Sequence, residues 1–585
     1  MTAFLCVAAI AVLSTLVGAR GGRVARTTSD FLVASRSVSS RRNALAISGE
    51  YLSAASFLGT AGLVLKEGVG QLWYQIGFTA GFLVLLVVVA GPLRRFGSYT
   101  VPEFAEGRLE SSRLRRLTAV TVLVIAWIYL VSQLKGAGTV LRSVVGTPYW
   151  IGVALAGTVV AAIIIAGGMR SVTSVQSMLY IVKLVLLAVP AVILVVAAGG
   201  DLRSRATRIE APVRFLNPTT VSFPHRTEIR PADRVEVSAH GSVDGQLVDG
   251  PVTLQARPQT VSAGSIFTFP AGSTVPSVGA LPDTDGPVWA GPAVASAPGH
   301  PVFDTYSLLV ATALGTMGLP HVLARFSTSP DGRGARRAAV IATGLIAAFY
   351  LFPPVYGLLG RVAAADLRLT GGTDTVVIVL PRRLLSGGLA VATQAMLVTG
   401  AFAAFLSTSS GLLMSLASAL SHDITRHGVR AFRNAAAAAA LVAVLLAVPF
   451  ANLDISFGVT WALSLAAATL CPLLALGIWW PRLTAVGAAA GLVTGLVANL
   501  GALAATLCGR PGSGWGEALV RSPAGWAAPL AFLVMVAASL LTRRNVPASA
   551  SAALFRMHVP LGETSLPVPP PRRDAAGRHR GRLER

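Results

Sequence analysis

Residues 43–68 read NALAISGEYLSAASFLGTAGLVLKEG, and this stretch decides the fold. It is apolar and longer than the roughly 20 residues that a helix needs to cross a bilayer. Its middle nevertheless holds Gly49, Glu50 and Ser53, which are poor residues for contact with lipid. One interpretation is close helix packing through small residues. The other is a locally unwound membrane helix whose free carbonyls coordinate a cation.

The rest of the chain has the same apolar character. Of its 585 residues, 53% are hydrophobic and only 12% are charged, whereas a soluble protein carries roughly a quarter charged residues. The net charge of +23 does not indicate a nucleic-acid partner, because the arginines lie in short loops and in the tail. The three cysteines, Cys6, Cys471 and Cys508, have no metal-ligand or disulfide spacing. We therefore expect an all-α polytopic membrane protein with a lipid bilayer around it.

Thirteen candidate spans follow from the apolar runs. They are 2–19, 44–66, 73–91, 117–135, 149–167, 176–198, 303–327, 336–360, 389–421, 434–450, 455–478, 484–506 and 525–542.

The charges of the loops predict the orientation. The loops assigned to the cytoplasm are 20–43, 92–116, 168–175, 325–337, 422–433 and 479–483, with the tail from Arg543. They hold 30 basic residues against 9 in the short loops on the other side. The positive-inside rule then places the N-terminus outside and the C-terminus in the cytoplasm of a cell (inner) membrane protein.

Four regions are predicted along the chain. Residues 1–199 hold helices 1–6, with the first core repeat in helices 2–6, and 303–542 hold helices 7–13, with the second core repeat in helices 7–11. Between them, 200–302 are polar and rich in Pro and Gly, which predicts an extracytoplasmic insertion, β-rich or loosely ordered. Residues 543–585 are predicted to be a basic, disordered cytoplasmic tail.

Two further spans carry unusual polar residues. The ninth contains AFAAFLSTSSGLL, in which Ala404, Ser407 and Thr408 share one helix face and offer oxygen ligands of the kind that sodium prefers. The alternative for such a run is hydrogen bonding of the hydroxyls to the helix's own carbonyls. The seventh contains LGTMGLPHVLARF, in which Gly318 and Pro320 predict a break. Interrupted helices in corresponding halves are typical of transport sites.

Two ionisable residues lie inside spans. His321 follows the break in the seventh span, where it is either a hydrogen-bonded interface residue or a group for gating or proton handling. Lys183 lies in the sixth span, where it is expected to snorkel or to pair with a polar neighbour, and no role is assigned to it.

Several segments resemble the sodium:solute symporter family, and most closely its cation/acetate branch. They are SDFLVASRSVS (29–39), SGEYLSAASFLGTAG (48–62), GPLRRFGSYTVPEF (91–104), GGMRSVTSVQ (167–176), LGTMGLPHVLARF (314–326), AFLSTSSGL (404–412) and SHDI (421–424).

The resemblance implies about thirteen helices around a LeuT-type core of two inverted five-helix repeats. It implies a sodium site formed by Ala404, Ser407 and Thr408 together with the carbonyls of Gly49 and Leu52. The implied substrate residues are Glu50, Tyr51, Ser53, Ser56, Thr316, Gly318 and His321. At position 50 the branch is expected to carry Asp, and this chain has the longer Glu.

The function that the resemblance implies is symport of Na⁺ with a short-chain monocarboxylate such as acetate, by alternating access, with no enzymatic activity. Proton coupling, or a different small solute such as pyruvate, an amino acid or another organic acid, stays open. A sensor or receptor that uses the transporter fold is the alternative from another class. The sequence predicts no oligomeric state.

Overall fold

The computed structural model describes residues 2–22, 28–208, 212–279, 281–283, 286–294, 300–425, 428–451, 454–509 and 514–559. The predicted tail from residue 560 onward lies outside the described residues.

Helices dominate the described part of the chain. They are α1 (Thr2–Gly22), α2 (Thr28–Val33), α3 (Ser40–Tyr51), α4 (Thr60–Glu67), α5 (Leu72–Leu85), α6 (Gly91–Phe96), α7 (Val101–Leu109), α8 (Ser112–Val145), α9 (Tyr149–Ala197), α10 (Gly199–Thr207), α11 (Pro287–Ala290), α12 (Pro301–Gly318), α13 (Pro320–Phe326), α14 (Gly332–Tyr350), α15 (Pro353–Ala363), α16 (Asp366–Thr370), α17 (Val376–Leu384), α18 (Gly387–Ser418), α19 (Val429–Ala447), α20 (Ile455–Ala468), α21 (Leu470–Trp479), α22 (Ala485–Leu507), α23 (Trp515–Arg521), α24 (Ala524–Leu541) and α25 (Ala550–His558).

In the part of the chain that the structure describes, ten helical segments are long and apolar enough to cross a membrane, or eleven when the bent pair α12 and α13 is taken as one span. The predicted count of thirteen differs from this for two local reasons. The second predicted span is divided between α3 and α4. The fifth and sixth predicted spans are merged in α9.

Helix α9 has 49 residues. At 1.5 Å per residue it would be about 74 Å long, more than twice the hydrocarbon thickness of a bilayer. Gly167 and Gly168 have non-helical backbone angles inside it, and Gly168 has a φ of +54°. A Cβ at Gly168 would lie 2.6 Å from the carbonyl oxygen of Phe31. The chain therefore turns at this glycine pair, between the two spans that the sequence predicts.

Residues between α10 and α11 form an antiparallel sheet. Its strands are β1 (Thr219–Ser222), β2 (Thr227–Arg230), β3 (Val235–Val243), β4 (Gln246–Leu254), β5 (Gln259–Val261), β6 (Ile266–Phe269) and β7 (Ser277–Val278). The order is β1-β6-β3-β5-β2-β7, with β4 paired to β3. Alternate side chains of the longer strands point into a small core, which Ala365 and Leu369 of the helical part complete. The sheet is thus attached to the bundle at α16, and we call this end of the bundle the insertion side.

The segment after the sheet, residues 286–294, packs against the end of α4 and against α15. Trp289 is fully buried, and the Arg361 guanidinium lies 5.1 Å from the centre of its ring. The carbonyl oxygen of Trp289 would be 2.1 Å from a Cβ at Gly68. The indole of Trp73 donates to the carbonyl of Pro292 at 2.6 Å. This segment therefore covers the end of α4 on the insertion side.

The predicted disordered tail begins with ordered structure. Helix α25 packs against α6 and α21, and Met557 is fully buried. The guanidinium of Arg95 donates to the carbonyls of Met557 and His558 at 3.0 and 3.3 Å. Burial of one apolar side chain and capping of two end carbonyls explain why this part of a basic segment is helical.

Candidate functional site

Two helices of the bundle are interrupted by short non-helical segments. Helix α3 ends at Tyr51, and Leu52 has an extended conformation with ψ of 93° before helical structure resumes as a π-turn at Ala55–Gly59. Helix α12 ends at Gly318, and the pair α12–α13 bends by 44° at the extended Leu319. Both breaks lie where the sequence predicts them. Each break frees backbone groups that a continuous helix would pair.

Lys183 lies against the first break. Its side chain is completely buried, and its Nζ donates to the carbonyls of Gly49 and Leu52 at 2.6 and 2.5 Å. A third hydrogen bond reaches Ser407 Oγ at 3.2 Å. The ammonium therefore uses all three of its N–H donors on oxygens of α3, the break and α18. Of the two alternatives expected for Lys183, the structure has the pairing with polar neighbours and not the snorkelling to the membrane surface, since its partners lie inside the bundle.

The five residues predicted to hold sodium lie together around this ammonium. Three of them, Gly49, Leu52 and Ser407, bind Nζ directly. Ser407 Oγ also donates to the carbonyl of Ala404 at 3.1 Å, and Thr408 Oγ1 donates to the carbonyl of Glu50 at 2.6 Å. The oxygens of the predicted site are thus gathered in one place, with a lysine nitrogen among them.

A buried ion pair lies next to the break. The Arg325 guanidinium pairs with the Glu50 carboxylate, and neither side chain is more than 1% exposed. Arg325 also donates to Gln176 Oε1, and to Thr173 Oγ1 at 2.8 Å. Gln176 in turn donates to the carbonyl of Ser407 at 2.7 Å. Glu50, predicted to bind substrate, is therefore engaged in a network that joins α3, α9, α13 and α18.

Glycine makes room for that carboxylate. A Cβ at Gly411 of α18 would lie 1.7 Å from Glu50 Oε1. A Cβ at Gly49 would lie 2.3 Å from the carbonyl oxygen of Gln176. Both helices therefore approach so closely that no side chain larger than hydrogen fits at these positions.

Several buried polar atoms near the two breaks have no hydrogen-bond partner among the described residues. They are Ser53 Oγ, Tyr129 OH, Gln133 Nε2, Ser409 Oγ, and both ring nitrogens of His321.

Three of these side chains, those of Tyr129, Gln133 and His321, are positioned by contacts with their neighbours. The Tyr129 and His321 rings meet edge to face with centroids 5.5 Å apart. Gln133 Oε1 accepts from the Ala54 amide at 2.9 Å, which fixes the other end of that side chain beside the break. Buried polar groups are normally paired with protein or water. This set is consequently the best candidate for contact with a polar solute.

The remaining predicted substrate residues have partners within the protein. Tyr51 OH is 2.6 Å from Thr316 Oγ1 and donates to the carbonyl of Phe78 at 3.1 Å. Ser56 Oγ is 2.8 Å from Tyr350 OH. A Cβ at Gly318 would lie 2.5 Å from the Ala466 carbonyl oxygen, so this glycine serves helix packing. Of the predicted set, Ser53 and His321 alone carry unpartnered polar atoms among the described residues.

An aromatic layer separates these groups from a cavity on the insertion side. The cavity has a volume of about 300 Å³, and Lys66, Tyr74 and Asp304 are among its lining residues. The ring of Tyr74 meets that of Phe78 at 4.7 Å, and Phe78 meets Tyr51 at 5.3 Å. Three rings in contact therefore lie between the lining of this cavity and the first break.

Sequence reasoning assigned no role to Lys183, and it missed Arg325, Tyr129 and Gln133. Each is a polar or charged residue inside a long helix, and this was the available signal, since such residues are costly in a membrane. Arg325 was instead assigned to a cytoplasmic loop in the charge count. It is fully buried, and removing it from the count leaves the asymmetry between the two sides unchanged in sign.

Comparison with known proteins agrees with this architecture. The model of the "Sodium:solute symporter family" matches residues 31–227 and 295–495. The chain is 28% identical over 546 residues to "Monocarboxylic acid transporter" of Corynebacterium glutamicum, which covers 89% of this chain and 88% of that protein. It is 27% identical over 513 residues to "Uncharacterized symporter YwcA" of Bacillus subtilis, which covers 86% of this chain and 85% of that protein.

Solved structures share the fold at low sequence identity. A substrate-bound, outward-open Na⁺-coupled sialic acid symporter matches with a TM-score of 0.60 and 13% identity, over 92% of this chain and 98% of that one. MhsT in complex with L-phenylalanine matches with a TM-score of 0.50 and 14% identity, over 85% of this chain and 98% of that one. The predicted LeuT-type fold is confirmed, and so is the prediction of a transporter rather than an enzyme. With two matched regions that cover most of its length, the chain belongs to the sodium:solute symporter family.

Proposed function

We propose that this chain is a secondary active symporter that carries a small monocarboxylate together with a monovalent cation by alternating access. The observation that supports this most is the set of unpartnered polar atoms at Ser53, Tyr129, Gln133 and His321, beside two broken helices. A carboxylate accepts hydrogen bonds from hydroxyl and amide donors of this kind. The relative named as a monocarboxylic acid transporter supports the same solute class.

The solute site is proposed to carry no free cationic side chain. Arg325, the guanidinium nearest to the second break, is engaged by Glu50, Gln176 and Thr173. A carboxylate would therefore be held by neutral donors, which favours a small anion with few groups to satisfy. Acetate, propionate and pyruvate fit this description better than an amino acid, whose ammonium group would need an acceptor.

Alternating access is proposed to run through the aromatic layer. Solute in the insertion-side cavity reaches the first break only when Tyr74, Phe78 and Tyr51 move apart. The solute and the cation raise each other's affinity equally, because coupling between two binding sites is reciprocal. We propose that the protein lies in the cell membrane with the insertion side outside and the C-terminus in the cytoplasm.

Two coupling ions are candidates, and each rests on its own observation. Sodium is favoured by family membership, and Gly49, Leu52, Ala404, Ser407 and Thr408 would supply its oxygen ligands. A proton is favoured by Lys183, whose Nζ lies among those oxygens. A sodium ion beside that ammonium at about 3 Å would be repelled by about 5 kcal/mol at an effective dielectric constant of 20.

Substrate exchange without any ion gradient tests the solute class. Proteoliposomes loaded with unlabelled pyruvate are mixed with radiolabelled acetate, propionate, pyruvate or proline, and the rate of label entry is compared with that of protein-free liposomes. We expect exchange of the monocarboxylates and none of proline. Exchange of proline alone, or no exchange of any of the four, would contradict the proposed solute class.

A further inference from the structure

We propose that the ammonium of Lys183 takes the place of the sodium ion among these oxygens. This inference rests on the proposed symport function and concerns its cation site. It differs from what family membership favours. The observation that supports it is the position of Nζ, which lies within hydrogen-bond distance of three of the five residues expected to bind sodium through oxygen atoms.

The ammonium is well matched to this position. It has three N–H donors, and the carbonyls of Gly49 and Leu52 with the hydroxyl of Ser407 provide three acceptors. Lys183 is 0% exposed, so no water at the protein surface competes for these donors. A sodium ion requires the same oxygens at shorter distances, so the two cations exclude each other.

Among the residues that the structure describes, no acidic side chain is in direct contact with the ammonium. Across α3, the charged side chain that faces Lys183 is Glu50, and its carboxylate is paired with Arg325. Helix α18 contributes no ionisable side chain over Gly387–Ser418. The other charged residues of α3, Arg41 and Arg42, lie two turns earlier, where Arg42 donates to Ser174. The positive charge is thus held mainly by the dipoles of the broken helix.

Sodium binding tests the inference without any solute. Purified wild-type protein and the Lys183→Ala variant are compared by binding of ²²Na⁺ in choline buffer, with excess unlabelled sodium as the competitor. We expect no saturable binding to wild type. We expect Lys183→Ala to bind at least about tenfold more sodium, since the freed oxygens of Gly49, Leu52 and Ser407 can then accept the ion. A second change, Ser407→Ala in that variant, should remove the gain.

Saturable ²²Na⁺ binding by wild type that Ser407→Ala abolishes would overturn the inference and leave the proposed symport intact. Lys183→Arg keeps a positive charge at this position. We expect this variant, once shown to be monodisperse, to bind no more ²²Na⁺ than wild type, and a gain equal to that of Lys183→Ala would overturn the role of the charge. The wild-type measurement tests the inference even if every variant fails to fold.

Discussion

Replacement of Arg325 by Met is the perturbation whose magnitude follows most directly from the structure. It removes the cation from an ion pair in which Arg325 is 0% and Glu50 1% exposed. Breaking such a pair by removing one partner costs about 3–5 kcal/mol, because a charge remains buried without compensation. The loss of the bonds to Gln176 and Thr173 acts in the same direction.

The assay is reversible unfolding in mixed micelles, with the free energy of unfolding as the readout. A double variant, Glu50→Gln with Arg325→Met, should lose less than the sum of the two single changes, by up to about 3 kcal/mol. The matched control is Lys66→Met, which breaks the partly exposed pair with Asp454 at 2.7 Å. Partly exposed pairs contribute about 1 kcal/mol or less. A cost of Arg325→Met no larger than that of Lys66→Met, or strict additivity in the double variant, would refute the reasoning.

Three further predictions concern single positions. Gly411→Ala should abolish transport and lower stability, because its Cβ would lie 1.7 Å from Glu50 Oε1. The control is Gly344→Ala, which has open space around it and should change neither transport nor stability. Uptake and unfolding measurements check the two variants. Tyr129→Phe should weaken pyruvate binding by about tenfold to a hundredfold, the value of a hydrogen bond to a charged group, with unaltered thermal stability; an unchanged dissociation constant would remove Tyr129 from the site. Trp289→Ala should cost about 3–5 kcal/mol of stability for a large side chain fully removed from a buried position, and a loss below about 1 kcal/mol would show that the segment after the sheet is loosely held.

Much of the fold could be predicted from residue patterns. Apolar runs of bilayer length and the distribution of arginine identify a polytopic membrane protein, and glycine with proline identifies the break before Pro320. The number of membrane spans is harder to predict from the sequence. Gly167 and Gly168 turn the chain within what is otherwise one 49-residue helix, and the polar residues of the second span end α3 at Tyr51.

The candidate site could be predicted for the oxygens around Lys183 and, in the proposed solute site, for Ser53 and His321. Helix periodicity places Ala404, Ser407 and Thr408 on one face, and composition marks Gly49 and its neighbours as unsuited to lipid. Which side chain meets those oxygens depends on packing between segments far apart in the sequence, such as the contact of Lys183 with Gly49 over 134 residues. Local patterns do not encode this contact. The same holds for the pairing of Glu50 with Arg325.

The measurement that tests the central claim most directly is gradient-driven uptake of radiolabelled pyruvate into proteoliposomes that contain the wild-type protein. Uptake is recorded with an inward proton gradient in sodium-free choline buffer, and with an inward sodium gradient at equal pH on both sides; protein-free liposomes correct for passive entry of the acid. The account predicts transient accumulation above equilibrium with the proton gradient and none with the sodium gradient. Accumulation with the sodium gradient alone would contradict the assignment of Lys183, and accumulation with neither gradient would contradict cation-coupled symport.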